Sequence, residues 1–140
     1  MSTEAQQDII EEFALFDDWM DKYEHLIGLG KNLPLIDEHY KTDQYIIKGC
    51  QSKVWLRAEE NEGRVYFSAD SDAIITKGIV SVLIRAFSGL SAQDIIDAPT
   101  DFINEIGLSD HLSPTRANGL MAMIKQMKLY ATAFAAQNNA

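Results

Sequence analysis

The chain holds one cysteine, Cys50, in the stretch Ile46-Ile47-Lys48-Gly49-Cys50-Gln51-Ser52-Lys53-Val54-Trp55. A thiol can act as a nucleophile, a metal ligand, a redox centre or simply a small buried hydrophobe, and free cysteine is among the most buried residue types. The neighbours bear on that choice. Gly49, Gln51 and Ser52 interrupt the apolar alternation, so Cys50 is expected on a turn between strand-like runs. Lys48 and Lys53 stand close enough in sequence to favour the thiolate, the nucleophilic form. A reactive loop thiol is the reading these residues favour over a core position.

Other chemistries have less support. One cysteine with His25, His39 and His111 lacks the short ligand spacings that assemble a zinc site. A Cys-His hydrolase needs a base beside the thiol and a third group to orient it, and no such arrangement is visible for His39 or His111. Asp70 and Asp72 offer an acid–base or metal-binding pair, but aspartates just before a helix more often cap it and complement its dipole. Arg116 falls in the first turn of the last expected helix, where a cation gains nothing from the dipole, so another partner is expected. Met121, Met123 and Met127 read as core packing, and Trp19 and Trp55 as core or sheet-face aromatics.

The elements that must position these residues follow from periodicity. Ser2 or Thr3 can cap a first helix, with Gln6 completing a capping box relative to Thr3. Asp17 and Asp18 start a second helix carrying Trp19, Tyr23, Leu26 and Ile27, with Gly28 and Gly30 as stops. Three strands in a meander are then expected: Tyr45–Ile47, a run around Val54–Glu59, and a run around Arg64–Ser68. Glu60-Asn61-Glu62-Gly63 supplies turn chemistry between the last two, with Gly63 free to take positive φ. Residues 49–52 then lie at the tip between the first and second strands. Asp70-Ser71-Asp72 is expected to cap a helix from Asp72 to about Ser88. Its polar positions, Lys77, Ser81, Arg85 and Ser88, leave one thin wet stripe on an apolar cylinder, which places it in the core. Ser91 caps a short helix, a second short piece covers Phe102–Ile106, and Ser113-Pro114 opens the last helix. That helix buries Leu120, Met123, Ile124, Met127, Tyr130 and Phe134, and the tail at 137–139 is expected to fray. The sum is an α+β layout in one domain, residues 1–140.

Composition narrows the partners. Twelve Lys and Arg against 21 Asp and Glu give a formal net charge of −9, without a basic run, so nucleic acid and anionic membrane are poor candidates. The acidic N-terminus does not resemble a secretory signal, and the apolar stretch 74–90 is broken by Lys77 and Arg85. An unpaired cysteine suits a reducing, cytoplasmic setting.

Three stretches together resemble the SufE-like family: GCQSKVW at 49–55, DSDAIITKGIV at 70–80 and HLSPTRANGL at 111–120. The resemblance extends from the first helix to the last. It implies a sulfur acceptor in iron–sulfur cluster assembly. Cys50 would take a persulfide from a PLP-dependent, SufS-like cysteine desulfurase, stimulate that enzyme, and pass sulfur to a SufBCD-like scaffold complex. The chain itself would be an accessory protein, not an enzyme, with no metal and no cofactor of its own, since the PLP belongs to the desulfurase. Gly49, Gln51 and Ser52 would shape the loop, and Asp72 and Arg116 would line it or the partner interface. The implied fold is a three-stranded antiparallel sheet flanked by helices, similar to the iron–sulfur scaffold (IscU-like) fold. Departures from the family pattern are Ala69 for Gly, Thr76 for an aliphatic residue, and Lys48 and Lys53 for neutral residues. A paralogous group serving another desulfurase shares the three motifs, and a stand-alone Cys/His thiol enzyme is the other alternative.

Overall fold

The computed structural model describes residues 3–50 and 52–138. Ser2, Gln51 and Asn139 therefore lie outside the described residues. Helix α1 (Glu4–Phe13) opens on Thr3, whose hydroxyl accepts from the Gln6 backbone N–H while the Gln6 side chain accepts from the Thr3 N–H. Both partners of the expected capping box are present. Helix α2 (Trp19–Gly30) opens on Asp18, whose carboxylate accepts from the Asp21 N–H at 2.8 Å.

The chain then crosses through two single 3-10 turns, Glu38–Tyr40 and Asp43–Tyr45, before reaching the sheet. Strands β1 (Val54–Asn61) and β2 (Arg64–Ser71) pair antiparallel, from Val54 opposite Ser71 to Asn61 opposite Arg64. Glu62 and Gly63 make the tight connection with φ of 52° and 80°, the paired left-handed geometry that matches strand twist.

Among the described residues the sheet has two strands, so the expected three-stranded meander is corrected. Tyr45 is spent in the 3-10 turn, which points its backbone away from a ladder. What remains is one antiparallel bridge, Ile46 to Trp55, with the Ile47 N–H donating to the Val54 carbonyl at 2.8 Å. Irregular segments close the sheet edges in place of further strands. Ala69 exchanges hydrogen bonds with Pro34 and Ile36, and Val65 pairs with Leu90. Covering β2 in this way satisfies backbone groups that an open edge would expose.

Helix α3 (Ile74–Phe87) lies in the centre, buried beyond its exposed first residue Ile74 except at Lys77, Ser81 and Arg85, as its sequence stripe implies. It touches α1, α2, β2 and the last helix. Its contact with α2 is unusually close: a Cβ on Gly78 would stand 2.3 Å from the Leu26 carbonyl oxygen, and one on Gly30 2.9 Å from the Gly78 nitrogen. Gly30 thus serves helix packing as well as ending α2. Leu26, Leu83 and Phe87, all fully buried, fill the surrounding core, each stabilising by about 1.5–3 kcal/mol relative to exposure.

The expected cap of α3 is also corrected. Asp70 and Ser71 complete β2, and Ala73 occupies the N-cap without a side-chain bond. Asp70 is buried and pairs with Lys41 at 2.5 Å and Lys77 at 3.3 Å, an attraction that caps nothing but ties the 37–41 segment to α3.

Ser91 caps α4 (Ala92–Asp97), and two short helices follow, α5 (Phe102–Glu105) and α6 (Leu108–His111). Helix α7 (Pro114–Asn138) continues through Gln137, where the sequence predicts fraying, and the Asn138 amide donates to Glu60 at 2.7 Å. Its Leu120, Met123, Ile124 and Met127 are buried, whereas Met121 of the expected core cluster is 54% exposed. Tyr130, half-buried, donates its hydroxyl to the Leu56 carbonyl at 2.9 Å, which fixes α7 across β1.

Candidate functional site around Cys50

Residues 48–53 form a tip whose neck is the Ile46–Trp55 bridge and the Ile47–Val54 hydrogen bond. Gly49 has φ of +96°, a conformation that would strain any residue with a Cβ. At the far side, Asp72 grips Lys53 twice: its carboxylate accepts from the Lys53 N–H at 3.1 Å, and its own N–H donates to the Lys53 carbonyl at 3.3 Å. The start of the tip, Lys48 and Gly49, is exposed, while Cys50 turns inward.

Cys50 is half-buried against α7, its thiol directed at the Gly119 carbonyl oxygen 3.6 Å away. The approach depends on the absence of a side chain at 119, where a Cβ would come within 3.3 Å of Sγ. A cavity of about 10 Å³ adjoins the thiol, lined by Ser52, Thr76, Ile79, Thr115, Arg116 and Met123 together with Cys50 and Gly119. That is room for about one water-sized atom. Burial pushes the thiol pKa above its ordinary value. The expected assistance from Lys48 and Lys53 does not counter this, since both side chains extend into solvent. In this conformation burial therefore favours the protonated thiol over the nucleophilic thiolate.

Arg116 has the partner that its poor place in the helix dipole implied. Its guanidinium donates to the Tyr23 hydroxyl at 2.9 Å, and its backbone N–H donates to the Ser113 hydroxyl, the N-terminal cap of α7. Tyr23 packs beside Trp19, on which His111 stacks at 4.2 Å. The structure thus brings Ser52 and Arg116 to the cavity wall, and Gly49 and Asp72 to the frame of the tip. Gln51 lies outside the described residues.

The other chemical candidates are placed elsewhere. His111 is committed to Trp19, His39 is exposed beside Tyr40, and His25 bonds Glu12 at 3.0 Å; none of them lines the cavity. Asp70 and Asp72 do not act as a dyad, because Asp70 is held by the two lysines and Asp72 by the Lys53 backbone. Among the described residues no cluster of His, Cys, Asp and Glu is arranged to hold a metal ion. Nor is any helix among them long and apolar enough to cross a membrane.

Several site residues escaped sequence reasoning. Gly119 stands inside the HLSPTRANGL stretch without a chemistry of its own, and its closeness to Sγ reveals a role. Ile79 and Met123 read as core, and they are core, with one edge left facing the thiol. Tyr23 reads as one more aromatic at helical spacing, and nothing local marks it as the partner of a residue 93 positions away.

Comparison with known proteins gives a consistent picture. The family model described as "SufE: Fe-S metabolism associated domain" matches residues 7–131. An uncharacterized SufE-like protein of Rhizobium meliloti is 42% identical over 126 residues, covering 86% of this chain and 89% of that protein. The chloroplastic/mitochondrial SufE-like protein 1 of Arabidopsis thaliana is 40% identical over 123 residues, 87% of this chain but 33% of its own length. An uncharacterized SufE-like protein of Synechocystis is 37% identical, covering 90% of this chain and 79% of that protein. The solution structure of a hypothetical protein from Thermus thermophilus superposes with a TM-score of 0.80 over 95% of this chain and 97% of that one, at 18% identity. That match establishes the fold alone, and the expected likeness to the iron–sulfur scaffold fold is withdrawn: the superposing protein is hypothetical, and the sheet has two strands.

Proposed function

The chain belongs to the SufE family, whose domain is associated with Fe-S metabolism, and from that premise we propose that Cys50 is a transient persulfide site loaded by a cysteine desulfurase. The observation that carries the reading is the thiol itself: a lone cysteine on a pinned tip, turned inward beside a cavity of about 10 Å³. That space is of the order of one added atom. A carrier must hold a reactive sulfur away from cellular thiols between two encounters, and this arrangement supplies the shelter.

The transfer step balances without a redox partner. The Cys50 thiol first loses its proton, and its thiolate attacks the terminal sulfur of a persulfide on the donor cysteine. A new S–S bond forms at Cys50 as the donor S–S bond breaks, and the donor cysteine leaves as a thiolate that takes up the proton. Burial is the cause of the raised Cys50 pKa, so swinging the tip outward removes the cause and restores ordinary thiolate character. The same motion exposes Sγ for attack. Reactivity is thereby confined to the docked state, and the protein needs no base of its own. Ser52 and Arg116, which line the cavity, would donate hydrogen bonds to a bound terminal sulfur, and Asp72 would hold the tip at its Lys53 end.

In this reading the partners are a PLP-dependent desulfurase that supplies sulfur and an iron–sulfur scaffold complex that receives it, in a reducing compartment such as the cytoplasm. The chain is an accessory protein and activator. A stand-alone Cys/His enzyme is disfavoured because no histidine lines the cavity. Alanine release from L-cysteine by a purified desulfurase tests the proposal. Added wild-type protein should accelerate turnover and Cys50→Ser should not; equal stimulation by both would refute a role for the thiol.

A further inference from the structure

Charge is distributed unevenly along this acidic chain. All 21 Asp and Glu precede His111, and residues 111–140 carry Arg116, Lys125 and Lys128 with no carboxylate side chain. Helix α7 therefore presents cations only, and it is the helix against which the Cys50 tip rests. Most other cations are engaged: Lys41 and Lys77 with Asp70, Arg85 with Glu12, Arg57 with Glu59, and Lys128 with the carbonyls of Ile95, Ile96 and Ala98. Lys48, Lys53 and Lys125 are exposed and have no ion-pair partner among the described residues.

Their placement is specific. Lys48 and Lys125 line one groove of about 550 Å³ between the 43–48 segment and α7, and Ile46, Ala122 and Leu129 form its apolar floor and edge. The groove abuts the tip, since a Cβ on Gly49 would touch Ala122 at 3.5 Å. Lys53 stands at the opposite end of the same six-residue tip. Asp43 lines the groove, and the Asp72 carboxylate beside Lys53 accepts from the Lys53 N–H. Met121 and Leu129, 54% and 51% exposed, flank Lys125 at one-turn intervals along α7.

We infer that Lys48, Lys53 and Lys125 form a cationic collar round the Cys50 tip that recognises a carboxylate-bearing rim on the persulfide-donating protein, with Leu129 and Met121 as its apolar contact. The inference rests on the reading of Cys50 as a sulfur acceptor and names the chemistry of the surface that loads it. A chain of net charge −9 repels an acidic partner from most directions. The collar favours an approach that brings such a partner to the Cys50 tip. Charges so placed act chiefly on encounter rate and orientation and are screened by salt.

The test measures the second-order rate of sulfur uptake at Cys50, by quenched intact mass, from a PLP-dependent cysteine desulfurase supplied with L-cysteine. Wild type is compared with the combined variant Lys48→Gln, Lys53→Gln, Lys125→Gln at about 20 mM and about 300 mM NaCl, either side of physiological screening. All three side chains are exposed, so the variant should fold. It should load about tenfold more slowly at low salt, with the gap closing at high salt. Rates within about twofold of wild type at both salts would overturn the collar. So would an equal slowing of alkylation by neutral iodoacetamide, because the lysines would then act on the thiol and not on the donor. Wild type that takes up no sulfur at either salt would instead overturn the acceptor reading, and the collar with it.

Discussion

Replacing Gly119 by alanine separates what this residue does for the fold from what it does for the thiol. Glycine inside a helix costs about 0.5–1 kcal/mol relative to alanine, so α7 alone should gain by the change. The new Cβ would meet Cys50 at 3.3 Å from Sγ, 3.5 Å from Cα and 3.7 Å from Cβ. Only the first is tight, so Sγ must give by a few tenths of an ångström while the other two are ordinary contacts, and the tip it belongs to is exposed at Lys48 and Gly49. The tip should therefore shift outward while the helix keeps its gain. The added methyl also fills the cavity of about 10 Å³ beside the thiol. Thermal unfolding should show a Tm unchanged or raised by up to about 3 °C. Iodoacetamide should nonetheless alkylate Cys50 roughly threefold or more faster at neutral pH, as exposure returns thiolate character. A persulfide loaded on the variant should be lost sooner to added dithiothreitol. A gain in stability with alkylation and persulfide lifetime both unchanged would refute the assignment of Gly119 to thiol protection.

Gly78→Ala should behave in the opposite way. Its Cβ would stand 2.3 Å from a backbone oxygen of α2, where no flexible side chain can give way, so the helices must separate. A loss of about 2–3 kcal/mol, after any helix-propensity gain, should appear in urea unfolding; an unchanged midpoint would contradict the packing. For Asp70, burial alone would raise the pKa, but hydrogen bonds from Lys41, the Ser71 N–H and Lys77 outweigh it and hold the carboxyl below the aspartate value. A depressed folded pKa stabilises above the unfolded pKa and is lost as pH falls through the folded value. Asp70→Asn should thus cost about 2 kcal/mol at pH 7, less than a fully buried pair because Lys77 is partly exposed, and the gap from wild type should shrink below about pH 4. A gap independent of pH would refute it. Finally, the alkylation rate of Cys50 in the free folded protein should have its midpoint above the ordinary thiol value of about 8.5 and fall to that value in denaturant. A folded midpoint at or below it would mean that the thiol is activated at rest.

Much of the scaffold is written locally. Thr3 with Gln6, Asp18, Ser91 and Ser113-Pro114 each mark a helix start because capping uses side chains within three residues of the bond they make. The stripe of Lys77, Ser81 and Arg85 likewise reports how deeply α3 is buried. The misreadings come where a distant group competes. Tyr45-Ile46-Ile47 has strand composition, yet the 3-10 turn at Asp43–Tyr45 uses up its first residue and leaves a single bridge. Asp70 has the form of a cap, yet its carboxylate pairs with Lys41, 29 positions earlier, and with Lys77. At the site, Cys50 stands out by type and by its flanking Gly49 and Ser52. Gly119 falls within the 111–120 stretch and Tyr23 at helical spacing, but their roles, a close approach and a long-range hydrogen bond, are not written locally.

The claim that Cys50 carries sulfur is tested most directly by the intact mass of the reduced protein after incubation with a cysteine desulfurase, PLP and L-cysteine. The account predicts a gain of sulfur localised to the peptide containing Cys50, reversed by reductant and absent from Cys50→Ser. An unchanged mass beside a demonstrably active desulfurase, or an equal gain in Cys50→Ser, would contradict it.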